Sequence, residues 1–160
     1  MSVLPNYPLW AALCAIIVAQ LIKVPLYYLP NRTWNFKLFL STGGMPSSHS
    51  AAVTALATAV LLEHGPNSSY FAIAVVFALI VMFDAAGIRR HAGEQAVVLN
   101  RLIDDMNQLV KEMKNWSGQT EQVKRKKLKE LLGHQPIEVL VGAIFGIGMA
   151  LLIGWAWEKI

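Results

Sequence analysis

The stretch IEVLVGAIFGIGMALLIGWAW, residues 137–157, indicates the fold class of this chain. Its one charged residue is Glu138, and as an α-helix the stretch would be about 31 Å long. The hydrocarbon core of a bilayer is ~30 Å thick, so a run of this length and apolarity predicts a membrane-spanning helix.

Three further apolar runs precede it, at residues 8–22, 50–62 and 70–83. The last two reach spanning length only when their flanks, residues 46–49, 63 and 84–88, are included. The chain of 160 residues is 55% hydrophobic and 15% charged, with a mean hydropathy of +0.45, which excludes an ordinary soluble domain. We therefore predict an all-α polytopic membrane bundle of about four spanning helices, built as one domain over residues 1–160.

The basic residues are distributed unevenly among the connections. Of 14 Lys and Arg, the first connection holds three, the second none, the third ten, and one follows the last run. Positive charge marks cytoplasmic loops, so the first and third connections are predicted to be cytoplasmic and both termini outside. Because topology explains the net charge of +4, no nucleic-acid partner is expected. The interpretation is an integral membrane protein of a bacterial plasma membrane.

The third connection carries an amphipathic pattern of its own. Its apolar residues recur at alternating steps of three and four, namely Leu99, Leu102, Met106, Leu109 and Met113, which predicts a helix. A turn at 116–118 and a second, basic helix over about 120–132 complete a cytoplasmic helical hairpin, the insert of about 91–133. The apolar stripe can pack against its own neighbour, against membrane lipids, or in a homodimer.

Four polar clusters interrupt the apolar runs. They are Lys23 with Arg32, STGGMPSSHS at 41–50, FDAAGIRRHAG at 83–93, and GHQPIEVLVG at 133–142. In the predicted topology all four lie at the cytoplasmic face of the membrane. Ionisable groups near membrane depth are costly, so their convergence on one face indicates one functional site.

The second cluster has the features of a helix start that binds anions. Pro46 suits the first helical position, and Ser47 and Ser48 can cap the exposed amides of the following helix. An ordinary capped helix start would account for these residues as well. It would not account for His49.

The fourth cluster pairs a histidine with an acid. His134 and Glu138 are four residues apart and would share one helical face, so the carboxylate could orient the imidazole as a nucleophile that attacks phosphorus. The alternative is a helix-capping histidine with a glutamate placed favourably in the first turn. A metal pair is a third option, but one His and one Glu are too few ligands.

The third cluster offers two cations. Arg89 and Arg90 could neutralise phosphate oxygens with their planar donor groups. Arginines just past the cytoplasmic end of a span are also what the positive-inside rule predicts. Asp84, at the membrane boundary, would pair with one of these cations or with Lys23.

Three of these motifs together resemble a known family. GGMPSSHSA, DAAGIRRHAG and LGHQPIEVLVGA are similar to the motifs of the type 2 phosphatidic acid phosphatase and vanadium haloperoxidase superfamily, in its short divergent membrane branch. The resemblance covers nearly the whole chain. It implies a phosphatase that acts on lipid phosphates without a metal ion or other cofactor.

The resemblance also implies a role for each matching residue. His134 would be the nucleophile, Glu138 its orienting acid, and His49 the general acid for the leaving oxygen. The phosphate would be held by the remaining matched residues, Lys23, Arg32, Ser47 and Ser48.

The sequence departs from the family pattern at several positions. Arg32 is nine residues past Lys23 instead of seven, PSSH replaces PSGH, and the acid is a glutamate. The arginine usually found six residues before the nucleophile is Leu128 here. We hypothesise that Arg89 or Arg90 supplies the missing cation.

The sequence thus predicts a membrane phosphatase with a phosphohistidine intermediate and a cytoplasmic active site. Its substrate would be a lipid phosphate of the polyprenyl diphosphate, phosphatidate or phosphatidylglycerophosphate class. Two alternatives stay open: a membrane scaffold or lipid-phosphate binder with weak or no activity, and a metal-dependent hydrolase using His49, Asp84, His134 and Glu138.

Overall fold

A computed structural model of the chain describes residues 6–40, 43–117 and 134–157. The helices, in order, are α1 (Tyr7–Asn31), α2 (Ser48–His64), α3 (Ser69–Ala86), α4 (Ile88–Ser117) and α5 (Pro136–Trp157). A short 3₁₀ helix, Phe36–Leu40, lies between α1 and α2. The described residues contain no strand, and the predicted all-helical membrane fold is confirmed.

Three described helices are long and apolar enough to cross a membrane: α1, α5, and the helix that begins at α3 and runs on into α4. The helix α2 has 17 residues and packs against α1, α3 and α5. Because protein rather than lipid surrounds it, α2 can carry the serines and threonine that lower its hydropathy. A fourth span through α2 stays a prediction.

The bundle core is built from small residues. Alanines recur every fourth position on α1 and α2, so each helix presents one narrow stripe to its neighbours. The core cluster consists of Tyr7, Ala11, Ala15, Ala19, Ala51, Ala55, Ala59 and Ala150. Helices in lipid gain little from burying large apolar groups, so they associate through close backbone approach over small residues.

The closest approach is between α2 and α5. A Cβ atom added at Gly146 would lie under 3.0 Å from the Ala51 carbonyl oxygen and the Thr54 hydroxyl, and one at Gly142 would lie 2.5 Å from the Ser47 carbonyl oxygen. The Thr54 hydroxyl is also 3.0 Å from the Ala143 carbonyl oxygen on α5. The two helices therefore meet at a distance that only glycine permits.

The end of the bundle away from the polar clusters is held by Tyr7. Its hydroxyl donates to the Ala150 carbonyl oxygen at 2.7 Å, and its ring centroid lies 6.2 Å from that of Trp157. The start of α1 and the end of α5 therefore lie together, and the two helices run antiparallel.

The helix α4 continues from α3 with one interruption at Gly87. The Gly87 amide donates to the Phe83 carbonyl oxygen at 2.9 Å, and the His91 amide donates to the Gly87 carbonyl oxygen at 3.0 Å. Among the described elements α4 contacts α3 alone. Much of its apolar stripe is exposed, including Leu99, Leu102, Met106, Leu109 and Val110.

The amphipathic helix predicted in the third connection is confirmed as α4. It begins at Ile88 and continues through Trp116 and Ser117, where the sequence predicted a turn. The second, basic helix predicted at about 120–132 lies outside the described residues.

Close packing at Gly146 predicts opposite effects for two neighbouring glycine-to-alanine substitutions. Gly146→Ala should destabilise the protein by about 1–3 kcal/mol through overpacking. Gly148 faces open space, so Gly148→Ala should be neutral or stabilising by up to ~1 kcal/mol through helix propensity. Thermal unfolding of both variants in detergent measures the difference. Equal effects would contradict the packing described for α2 and α5.

Candidate active site

Four elements meet at one end of the bundle: α1 at Lys23, the loop before α2, the end of α3 and the start of α5. The Ser47 amide donates to the Glu138 carbonyl oxygen at 3.1 Å, and the His134 amide donates to the Ala85 carbonyl oxygen at 3.0 Å. These two hydrogen bonds attach the start of α5 to α2 and to α3. Residues from all four elements are thereby placed in one cluster.

The loop before α2 folds over the stem of Lys23. Gly44 has φ of +91°, which favours glycine, and a Cβ there would lie 3.9 Å from Lys23 Cδ. The Ser47 hydroxyl oxygen caps α2 by accepting from the Ser50 amide at 3.3 Å and lies 3.0 Å from the Ser50 hydroxyl. Ser47 and Ser48 are both buried. The capping predicted for Ser47 is confirmed, whereas the first helical position predicted for Pro46 is wrong, because Pro46 precedes the cap and α2 begins at Ser48.

The first turns of two helices converge here. The helix α2 begins at Ser48 and α5 begins at Pro136, and the bond from Ser47 to Glu138 joins the two starts. Each helix start carries partial positive charge on its exposed amides, which favours anions. The Lys23 side chain is 2% exposed, and Glu138 attracts its ammonium group. Positive groups therefore gather at this end of the bundle, and Glu138 offsets part of their charge.

Two histidines from distant parts of the sequence lie side by side. The ring centroids of His49 and His134 are 5.8 Å apart, with the rings edge to face at 81°. His134 is 1% exposed and His49 is half-buried. At this separation the two imidazoles belong to one cluster, which is the first condition for a nucleophile and a general acid to act on the same group.

Glu138 has a different local setting from the one expected. The helix α5 begins at Pro136, so His134 lies before the helix, and the premise that His134 and Glu138 share a helical face is wrong. One Glu138 carboxylate oxygen accepts from the Gln135 amide at 3.0 Å and so caps α5. Glu138 thus lies in the first turn as the capping alternative expected, whereas the cap is Gln135 and His134, the cap of that alternative, precedes it.

The remaining predicted site residues lie at the margin of the cluster or outside it. Arg32 is exposed and caps α1 in the left-handed conformation, about 13 Å along the helix from Lys23. Arg90 is exposed and its Nε donates to Glu94 at 2.9 Å. Asp84 precedes Ala85, the residue whose carbonyl holds His134. The backbone of Arg89 lies in α4, and its side chain is outside the described part of the chain.

Sequence reasoning missed the contribution of the glycines on α5. Gly142 lies against Ser47, and this close approach brings the start of α5, and with it His134, beside α2. The spacing of Gly142 and Gly146, with three residues between them, is a recognised signal for close helix packing in membranes.

The metal-dependent alternative requires several ligands that lie together. No three His, Cys, Asp or Glu side chains among residues 6–40, 43–117 and 134–157 are grouped so that they could hold a metal ion. The metal-dependent alternative therefore finds no ligand set within this part of the chain.

The electrostatic attraction between Lys23 and Glu138 predicts coupled stability. Lys23→Met and Glu138→Gln should each destabilise the protein, and the double variant should recover part of the loss, with a coupling energy of about 1 kcal/mol or more. A glutamine at position 138 keeps an oxygen that can accept from the Gln135 amide, so the double-mutant cycle measures the effect of the charges alone. Thermal unfolding in detergent measures it. Glu94→Gln, far from Lys23, is the control and should be additive; additive effects of Lys23 and Glu138 would contradict the pairing.

Comparison with known proteins agrees with the resemblance in the sequence motifs. The family model described as "Divergent PAP2 family" matches residues 4–149. The chain is 56% identical over 155 residues to the "uncharacterized membrane protein YuiD" of Bacillus subtilis (strain 168), covering 97% of this chain and 98% of the relative. No solved structure matches significantly. The chain is an integral membrane protein and belongs to the divergent PAP2 family.

Proposed function

We propose that this protein is a phosphatase that hydrolyses a phosphomonoester or diphosphate of a membrane lipid. The observation that carries the proposal is the pair of histidines, His49 and His134, with ring centroids 5.8 Å apart where two helix starts and a buried lysine converge. Family membership supports the same reaction class.

The proposed reaction has two steps, with His134 as nucleophile. A ring nitrogen of His134 attacks phosphorus in line, the P–N bond forms, and the bond from phosphorus to the lipid oxygen breaks as His49 donates a proton to that oxygen. Water then attacks the phosphohistidine while His49 takes a proton back, and inorganic phosphate leaves. The net reaction consumes one water and releases the lipid alcohol, or the lipid monophosphate when the substrate is a diphosphate.

Phosphate binding is assigned to the positive groups of the cluster. Lys23 and the first amides of α2, beside Ser47 and Ser48, would hold the phosphoryl oxygens and stabilise the charge that develops on them. Glu138 would act as the counter-charge of Lys23 and as the cap of α5, with its orientation of His134 carried over from the family.

The arginines assigned to phosphate binding would have to move in this proposal. Arg90 would have to release Glu94, its partner at 2.9 Å, before it could reach a phosphate. Arg32 lies at the end of α1, so its side chain would have to extend back along the helix to reach a phosphate in the cluster. Asp84 would neutralise one of the arginines between turnovers.

We further propose that the active site faces the cytoplasm, in the plasma membrane of a bacterium. The connection after α3 and the connection after α1 leave the bundle at the same end as His134, and together they hold most of the Lys and Arg residues. A reporter fused near Trp116 should be cytoplasmic. An extracellular reporter would contradict the proposed orientation and leave the chemistry open to test.

A second candidate function is binding of lipid phosphate without hydrolysis. Two observations favour it: the family arginine is Leu128 here, and Arg90 is engaged with Glu94. A reaction whose transition state lacks one charge partner is slower by orders of magnitude.

The proposed chemistry predicts phosphate release that depends on both histidines. The purified protein in detergent with EDTA should release phosphate from at least one of polyprenyl diphosphate, phosphatidate and phosphatidylglycerophosphate. His134→Ala and His49→Ala should each lower turnover by about 10²–10⁴-fold. His91→Ala, an exposed histidine on α4, is the matched control and should retain full activity.

Each other outcome of this experiment points to a different function. Activity abolished by EDTA would support the metal-dependent alternative. A folded wild-type protein that releases no phosphate, and that vanadate does not stabilise, would support the scaffold function. A pH profile of turnover with only one limb would contradict the pairing of a neutral His134 with a protonated His49, which requires a bell shape.

A further inference from the structure

A row of stacked aromatic rings lies where α1 ends, beyond Lys23 along the chain. We call it the aromatic ladder and define it as Tyr28, Trp34, Phe36 and Phe39. Successive ring centroids are 4.4, 6.1 and 6.3 Å apart, with interplanar angles of 21°, 7° and 22°. The ladder joins the end of α1 to the 3₁₀ helix, and the chain passes from there into the loop at Gly44.

The middle of the ladder is open to the surroundings. Trp34 is 59% exposed and Phe36 is 65% exposed. The exposed apolar surface continues along α1 through Leu29 and Leu26, in the helix that is long and apolar enough to span the membrane. The ladder therefore extends the lipid-facing surface of α1 beyond the span.

The position of the ladder along the bundle can be related to bilayer thickness. Tyr7 and Trp157 are in contact at the far end. Tyr28 is 21 residues from Tyr7, and Pro136 is 21 residues from Trp157, so each pair is separated by about 32 Å along its helix. The hydrocarbon core is ~30 Å thick. Aromatic residues thus lie at both ends of a slab of membrane thickness, as in interfacial belts.

We propose that the aromatic ladder docks in the boundary between headgroups and acyl chains of the leaflet on the site's side, and that this contact sets the depth of the candidate site. Tyrosine and tryptophan suit that boundary because each combines an apolar ring with a polar atom. Lys23 is five residues before Tyr28, so it lies about 7.5 Å below the ladder. By the count from the far end of the bundle, Pro136 lies at about the level of Tyr28.

The ladder lies close in sequence to the loop before α2. Phe39 is five residues from Gly44, the residue that lies over the stem of Lys23. An anchor at this distance keeps the loop close to the boundary between headgroups and acyl chains, within reach of a phosphate on a lipid. The proposal concerns the position of the ladder and does not depend on hydrolysis, so either can fail without the other.

The first test measures the depth of Trp34 by fluorescence. Of the five tryptophans, Trp10, Trp116, Trp155 and Trp157 are replaced by Phe, and the protein is placed in phosphatidylcholine and phosphatidylglycerol vesicles. Lipids brominated near the carbonyl end should quench Trp34 about twofold or more better than lipids brominated near the terminal methyl. A variant that keeps only Trp155, exposed near the opposite end of the slab, gives the quenching ratio of a tryptophan near the other membrane boundary.

Two results would overturn the proposal. Strong quenching of Trp34 by iodide with none by brominated lipids would place the ladder in water. Protection of Trp34 from both quenchers would mean that another protein surface, such as a second copy of this chain, covers the ladder.

The second test leaves all five tryptophans in place. In a Cys14→Ser background, which removes the chain's single cysteine, Phe36→Cys is labelled with a membrane-impermeant maleimide in vesicles. The control is Gln108→Cys, at an exposed position on α4, on the same side of the bundle. Phe36→Cys should react at least about tenfold more slowly, because the reagent stays in water. Equal rates would overturn the proposal.

Discussion

The contact between α2 and α5 is the constraint on which the rest of the structure depends. In lipid, helices associate through van der Waals packing and interhelical hydrogen bonds, so close approach replaces burial of large apolar groups. Gly142 and Gly146 bring the backbone of α5 against Ser47, Ala51 and Thr54. This contact fixes the position of α5 along its own axis relative to α2, which we call its height in the bundle. A shift by one turn would move the start of α5 by about 5.4 Å, and His134 would no longer lie beside His49.

The height of α5 also decides the electrostatics of the site. Because the bond from Ser47 to Glu138 joins the starts of α2 and α5, two sets of helix amides lie close together, near the buried Lys23. Burial of an ammonium group is costly unless an opposite charge is near, and Glu138 supplies one from the first turn of α5. The same carboxylate caps that turn at Gln135. Stability of the helix start and tolerance of the buried lysine therefore depend on one side chain.

The sequence predicted the helices better at their apolar centres than at their ends. The run 137–157 is nearly identical to α5 (Pro136–Trp157), whereas the run 8–22 became α1 (Tyr7–Asn31). The apolar pattern stops at Lys23, but a charge does not end a helix when the bundle surrounds its ammonium group. At the start of α5 the helix is shorter than expected. Pro136 occupies the first helical position and His134 precedes it, so His134 and Glu138 do not share a helical face.

The sequence by itself determined the fold class, the family and the residue types of the site, because hydropathy, positive charge and short motifs are local properties of the chain. Tertiary structure alone decided which of those residues meet. His49 and His134 are 85 positions apart, and only the packing of α2 on α5 brings their rings to 5.8 Å. The pair of Arg90 and Glu94 differs from this, because the two residues are four apart on α4 and the helix alone brings them together. Proximity between distant residues depends on how helices pack, and no local pattern encodes it.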